Sequence, residues 1–151
     1  MMDFNDCGIL LIEDDANDIL FVQRAFRQAN LENPIQIARD GDEAISYLSG
    51  ESKYANRDEY PLPALILLDL KLPRRSGLEV LEWIRQQQNL RRIPVVVLTS
   101  SKESLDVDKA YDIGVNSYLV KPVKFERLTQ MMKTLDAYWL QLNQYPSLMS
   151  S

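Results

Sequence analysis

The sequence contains no histidine and a single cysteine, Cys7. Without histidine, Ser-His and Cys-His catalytic arrangements and imidazole metal sites are excluded, as is a phosphohistidine carrier or kinase core. One cysteine forms no internal disulfide and fits a reducing cytoplasm, and Cys7 reads as a small strand-end residue without a redox role. No apolar run reaches membrane length. The stretch at residues 9–12 is too short for a span or a secretory signal. Positive charge is short as well: 17 Lys and Arg stand against 22 Asp and Glu, a net charge of −5. Nucleic acid and anionic membranes both call for a basic face, so neither is an expected partner. Internal repeats and low-complexity segments are missing too. What is present is the composition of one globular domain: 151 residues, 46% of them apolar, enough for a sizeable core.

That core is organised around Leu65-Ile66-Leu67-Leu68, an unbroken apolar run that ends in Asp69. Such runs mark strands buried on both faces of a parallel sheet. Gly8-Ile9-Leu10-Leu11-Ile12, running into Glu13-Asp14-Asp15, has the same form, and so does Val95-Val96-Val97-Leu98, running into Thr99-Ser100-Ser101. Ile35-Gln36-Ile37-Ala38 alternates, as a strand nearer a sheet edge does, and Ser117-Tyr118-Leu119-Val120 closes on Lys121-Pro122. Helical spacing covers residues 16–29 and 77–87 and a long segment over 124–143, while turn signals place a helix through Leu48 after Asp40-Gly41 and another to about Ile113, stopped by Gly114. Asp42 or Gly41 is expected to cap the second helix, and Ser100, Ser101 and Glu103 to serve the start of the fourth. Residues 49–63, with Gly50, Pro61 and Pro63, read as a long loop. Strand and helix alternate five times, which predicts an α/β fold: a parallel sheet with helices on both faces and right-handed crossovers.

In such sheets ligands bind outside the carboxyl ends of the strands. There this chain places Glu13, Asp14, Asp69, Thr99 and Lys121. Converging carboxylates repel one another, and at least one would have a raised pKa unless a cation sits among them. An all-oxygen ligand set suits Mg²⁺, which keeps waters and completes its shell with phosphate oxygens. A lysine point charge and a hydroxyl suit the oxygens of a phosphoryl group. A carboxylate is also a nucleophile for acyl phosphate formation, and Asp69 is central. With no histidine in the chain, a phosphohistidine donor would belong to another protein.

The set Glu13-Asp14, Asp69-x-x-x-Pro73, Thr99-Ser100, Tyr118 and Lys121-Pro122 resembles the receiver domain of two-component response regulators, over about residues 8–142. The resemblance implies a flavodoxin-like doubly wound (βα)5 fold with strand order 2-1-3-4-5. It also implies Mg²⁺-dependent phosphorylation of Asp69 by a sensor histidine kinase. Asp14 and Asp69 would hold the metal directly, Glu13 mainly through water, and Lys71 through its backbone carbonyl. Thr99 and Lys121 would contact the phosphoryl group, Tyr118 would be the rotating switch aromatic, and the Lys121–Pro122 bond is expected to be cis. Lys71 and Ser101 occupy positions that tune phosphate loss in the family. The finer resemblance is to small cyanobacterial response regulators paired with phytochrome kinases. It is carried by Tyr54-Ala55-Asn56, Asn89-Leu90-Arg91-Arg92-Ile93-Pro94 and Asp136-x-Tyr138-Trp139-Leu140.

Two alternatives stand beside this reading. A Mg²⁺-dependent aspartyl-nucleophile phosphohydrolase would place a second acid two residues after the nucleophile, where this chain has Lys71, and would enclose its substrate under a cap domain. A non-phosphorylated pseudo-receiver would not need all of Glu13, Asp14, Asp69, Thr99 and Lys121. Arg74 and Arg75 read as solvated loop charges. The receiver domain is expected over residues 1–143, with a tail over 144–151 and no output domain, so signalling would run through protein contact. In the last helix Phe125, Leu128, Met132, Leu135, Trp139 and Leu142 repeat at three and four, a narrow seam. Twenty helical residues span about 30 Å against roughly 17–20 Å for a strand, so an overhang of about 10 Å would carry Tyr138, Trp139 and Leu142. Homodimerisation through the fourth and fifth helices is expected, as is a kinase-docking face among Ile19, Leu20 and Phe21.

Overall fold

The computed structural model describes residues 8–148, so Cys7 lies outside the described residues. Five strands, β1 (Ile9–Ile12), β2 (Ile35–Ala38), β3 (Leu65–Leu68), β4 (Val95–Thr99) and β5 (Ser117–Val120), alternate with α1 (Ala16–Gln28), α2 (Gly41–Ser49), α3 (Gly77–Gln86), α4 (Ser104–Ile113) and α5 (Phe125–Leu135). Every strand pair is parallel, and the order is β2-β1-β3-β4-β5. The three apolar runs are the three central strands, buried throughout. β2 and β5, which read as less apolar, are the edges.

Alternation along the strands divides the core in two. Leu10, Ile12, Ile66, Leu68, Val95 and Val97 face α2, α3 and α4, meeting Leu48, Leu81 and Ile84 among others. Ile9, Leu11, Leu65, Leu67, Val96 and Leu98 face α1 and α5, meeting Val22, Phe26, Leu128 and Met132. Each buried aliphatic side chain is worth about 1.5–3 kcal/mol of transfer free energy, so this double layer dominates the stability.

Caps set where the helices start. Asp15 accepts from the Asn17 and Asp18 amides at 2.8 and 3.1 Å. Ser76 and Glu79 form a capping box on α3. The cap of α2 is Asp40, which accepts from the Glu43 amide at 2.7 Å, not Asp42 or Gly41: the helix begins one residue earlier than its apolar spacing suggested. The 49–63 loop contains a 3-10 turn at Ser52–Ala55. Arg57 reaches back from it to the Tyr47 and Leu48 carbonyls at 2.8 and 3.0 Å, satisfying the end of α2. Arg74 and Arg75 are exposed, as expected, but paired with Asp40 at 3.5 Å and Asp42 at 2.9 Å.

Two further expectations are corrected. The last helix is not a single α-helix, because α5 passes at Asp136–Leu142 into a π-helical segment. The wider turn shifts the seam by one residue. Leu140, 1% exposed, takes the core position that the three-and-four repeat assigned to Trp139, while Leu142 is 73% exposed. Trp139 is half-buried against the α1/α5 layer. The buried Asp136 carboxylate accepts from Gln141 five residues on, the spacing of a π turn. The second correction is that no peptide bond is cis among the described residues, so Lys121–Pro122 is trans, the lower-energy form of an X-Pro bond.

Candidate functional site

The sheet brings the predicted residues to one edge. Ile12 is in register with Leu68, so Glu13 and Asp69, each one residue further on, emerge side by side. Main-chain bonds continue past the strands: the Glu13 amide donates to Ala38 at 3.0 Å, the Asp69 amide to Ile12 at 3.0 Å and the Lys121 amide to Thr99 at 2.7 Å. Behind Asp69, Gly77 packs against the backbone so closely that a Cβ there would strike the Asp69 carbonyl oxygen and the Leu70 Cα. The start of α3 thus holds the nucleophile candidate from below.

Carboxylate oxygens of Glu13, Asp14 and Asp69 lie within 4.8 Å of one another; Glu13 and Asp69 are buried and Asp14 is exposed. The Thr99 hydroxyl donates to Asp69 Oδ1 at 2.7 Å. The Lys121 ammonium donates to Glu13 Oε1 at 2.6 Å, Asp18 Oδ2 at 2.7 Å and Asp69 Oδ2 at 3.1 Å. Lys71 is exposed, and its amide points at Asp69 Oδ1 from 3.4 Å. Tyr118 is half-buried, its hydroxyl donating to the Ser101 carbonyl at 3.0 Å. The capping expected of Ser100, Ser101 and Glu103 is not made, since no side chain caps the start of α4; the Ser101 hydroxyl instead accepts from the Glu103 amide at 3.4 Å and donates to Asp106 at 2.6 Å. Helix capping by the first acidic corner falls to Asp15 alone, which leaves Asp14 unspent. Asp18 is the site residue the sequence did not single out. An acid in a first helical turn reads as compensation of the helix dipole, and its partner is 103 residues away.

The electrostatics follow from this crowding. Burial raises the Glu13 carboxyl from 4.5 to about 7, against the opposing pull of Lys121. Burial would raise Asp69 as well, but the Thr99 hydroxyl and the Lys121 ammonium outweigh it and hold the carboxyl below its ordinary value. Lys121, although burial favours its neutral form, is raised by the hydrogen bonds it donates to Asp18 and Glu13. The site therefore holds an ionised nucleophile candidate beside a carboxyl whose affinity for a proton is raised by burial. Three clustered oxygen donors, two of them buried, could serve as ligands of a hard divalent cation, and such an ion would compete with the proton on Glu13.

The chain matches the response regulator receiver domain model over residues 9–133. It is 40% identical over 139 residues to the response regulator Rcp1 of Synechocystis, covering 92% of each chain. Among solved structures it resembles the phosphorylated cyanobacterial phytochrome response regulator RcpA, with a TM-score of 0.86 and 39% identity over 94% of this chain and 99% of that one. It also resembles the Mn(2+)-bound form of Rcp1, with a TM-score of 0.82 and 38% identity over 93% of this chain and 99% of that one. The strand order, the acidic pocket and these likenesses agree: the chain belongs to the response regulator receiver domain family, and within it is homologous to the cyanobacterial phytochrome response regulators.

Proposed function

We propose that this chain accepts a phosphoryl group on Asp69 from the phosphohistidine of a sensor kinase of the phytochrome class, with Mg²⁺ held by Glu13, Asp14, Asp69 and the Lys71 carbonyl. The observation that carries the reading is the set of contacts on one carboxylate: two acidic neighbours within 4.8 Å, the Thr99 hydroxyl at 2.7 Å and the Lys121 ammonium at 3.1 Å. The related RcpA was solved phosphorylated and the related Rcp1 with Mn(2+), which supports carrying both chemistries to this chain. When bound, Mg²⁺ neutralises charge on the phosphoryl oxygens. In the transfer an Asp69 carboxylate oxygen attacks phosphorus, the P–N bond to the kinase imidazole breaks, and an aspartyl phosphate forms. Thr99, released from Asp69 Oδ1, donates to a phosphoryl oxygen, and Lys121 exchanges Asp69 for another such oxygen. Tyr118, already turned toward Ser101, reports the change to α4 as the switch aromatic.

The kinase docks on α1, where Leu20 and Phe21 are 46% and 42% exposed while Ile19 is buried. Output is by protein contact, with homodimerisation through α4 and α5, in the cytoplasm. No helix among the described residues is long and apolar enough to cross a membrane. An aspartyl phosphohydrolase is disfavoured by Lys71, which occupies the position two residues after Asp69 where that chemistry places its general acid/base. The test is to incubate the protein with Mg²⁺ and acetyl phosphate and weigh it. Wild type gains one acid-labile phosphate and Asp69→Asn gains none; labelling that persists in the Asn variant moves the nucleophile elsewhere.

A further inference from the structure

The Lys121 ammonium has three carboxylate partners, and the proposed function uses only two of them. Glu13 and Asp69 belong to the acidic set that could hold a cation; Asp18 does not. Yet Asp18 Oδ2 lies 2.7 Å from Lys121 Nζ, closer than Asp69 Oδ2 at 3.1 Å. Both ends of this pair are fixed. Asp18 sits in the first turn of α1, its amide donating to the Asp15 cap at 3.1 Å. The Lys121 backbone is bound to the end of β4 at 2.7 Å. The edge-to-face contact of Phe21 with Phe125, 6.1 Å between ring centroids, ties α1 to the segment that follows Lys121.

A divalent cation and an ammonium cannot share Glu13 and Asp69 without strong mutual repulsion. A cation arriving in the pocket must push Lys121 off those oxygens, and the ammonium must still remain within reach of the phosphoryl site. We infer that Asp18 is a positioning residue: it keeps hold of Lys121 when the cation takes Glu13 and Asp69, so that both positive charges fit in one site. This rests on the phosphoryl-acceptor reading and adds to it a group that touches neither the metal nor the phosphoryl oxygens.

A double-substitution cycle tests it by calorimetric titration with Mg²⁺. Asp18→Asn should weaken binding roughly three- to tenfold, as expected for a partly buried ion pair. In a Lys121→Met background the same substitution should cost less than about twofold, because the group it restrains is gone. Equal losses in both backgrounds would mean that Asp18 acts only as a distant negative charge, and no loss in either would mean that it does not act at all; each overturns the proposal. A metal-free measurement separates this from the function itself. Acetylation of Lys121 by an amine-reactive reagent, followed by mass spectrometry, should run about threefold faster in Asp18→Asn, and unchanged labelling rejects the tether. If wild type bound no Mg²⁺, the phosphoryl-acceptor reading would fail, whereas Mg²⁺ binding with unchanged labelling would overturn the role of Asp18 alone.

Discussion

Glu13 is where pH enters the chemistry of the site. Its pKa in the folded protein, about 7, lies above the ordinary 4.5, so metal-free protein binds an extra proton between those values. The resulting stabilisation is complete below 4.5 and is lost as pH rises through about 7. Metal-free wild type should therefore lose up to about 3 kcal/mol relative to Glu13→Gln as pH is raised from about 5 to about 8, measured by urea unfolding. Asp69 behaves in the opposite sense. Its pKa is lowered, so its contribution is present above the ordinary 3.8 and lost only in acid. If the pocket takes Mg²⁺ as proposed, the ion should reverse the slope expected for Glu13, because it would take the carboxylate. Affinity should rise about tenfold per pH unit below about 7 and level off above it, with proton release visible by calorimetry in buffers of different ionisation enthalpy. A second prediction concerns packing. In Gly77→Ala the new methyl meets the Asp69 carbonyl, which should cost about 3 kcal/mol in chemical denaturation and slow the proposed phosphoryl acceptance, since the backbone carrying the proposed nucleophile must shift. At this scale Asp69, Thr99 and Lys121 were legible because each closes an apolar run. Asp18 and Arg57 were not, because a charged residue on a helix or loop looks solvated until its distant partner is known.

Among the elements, the π-helical segment makes the sharpest difference between pattern and structure. Leu140 and Leu142 are equally apolar in sequence, but only Leu140 is enclosed. Leu140→Ala should cost about 2–5 kcal/mol of stability, whereas Leu142→Ala should stay within about 0.5 kcal/mol. Equal costs would restore the uninterrupted helix. The junction of α3 with β5 offers another case. Arg85 donates to the carbonyls of Gly114 at 2.8 Å, Arg91 at 3.0 Å and Ile93 at 2.9 Å, and to Asn116 Oδ1 at 2.9 Å. Among the described residues no carboxylate takes part, so the guanidinium acts as a multi-armed donor that joins the α3–β4 and α4–β5 loops at the end of the sheet away from the acidic site. Arg85→Met keeps the stem but leaves partly buried carbonyls without their donor, and should lower the stability by about 3 kcal/mol.

For the molecule as a whole, two apolar layers are closed and, apart from Val123 and Tyr145, the remaining large exposed apolar side chains lie on the helices. On α4 these are Leu105 and Tyr111; beyond α5 they are Tyr138 and Leu142. Between β5 and the last helix runs a groove of about 760 Å³ lined by Leu119, Met131, Tyr138 and Trp139 among others. If a second copy covers this face, sedimentation should give a dimeric mass for wild type and a lower one for Tyr138→Ala, which removes an exposed ring without opening the core. Monomeric masses for both would remove the dimer. The tail lies elsewhere: Arg92 donates to the Ser147 carbonyl at 3.1 Å, and Leu148 packs on the layer that contains Leu90 and Ile93.

Hydrophobic periodicity is local, and it was enough to determine the five strands, the five helices and which polar residues would stand at the strand ends. A buried apolar run can be only a strand or a core helix, and its closing residue must sit where the core stops. The choice of partners was decided by tertiary structure. That one ammonium would gather Glu13, Asp18 and Asp69, that Asp40 would cap α2, and that a wider turn would bury Leu140 in place of Trp139 each depend on groups far apart in the chain. A residue's own neighbours in sequence carry no trace of such contacts, because their free energy exists only once the sheet has brought the ends together.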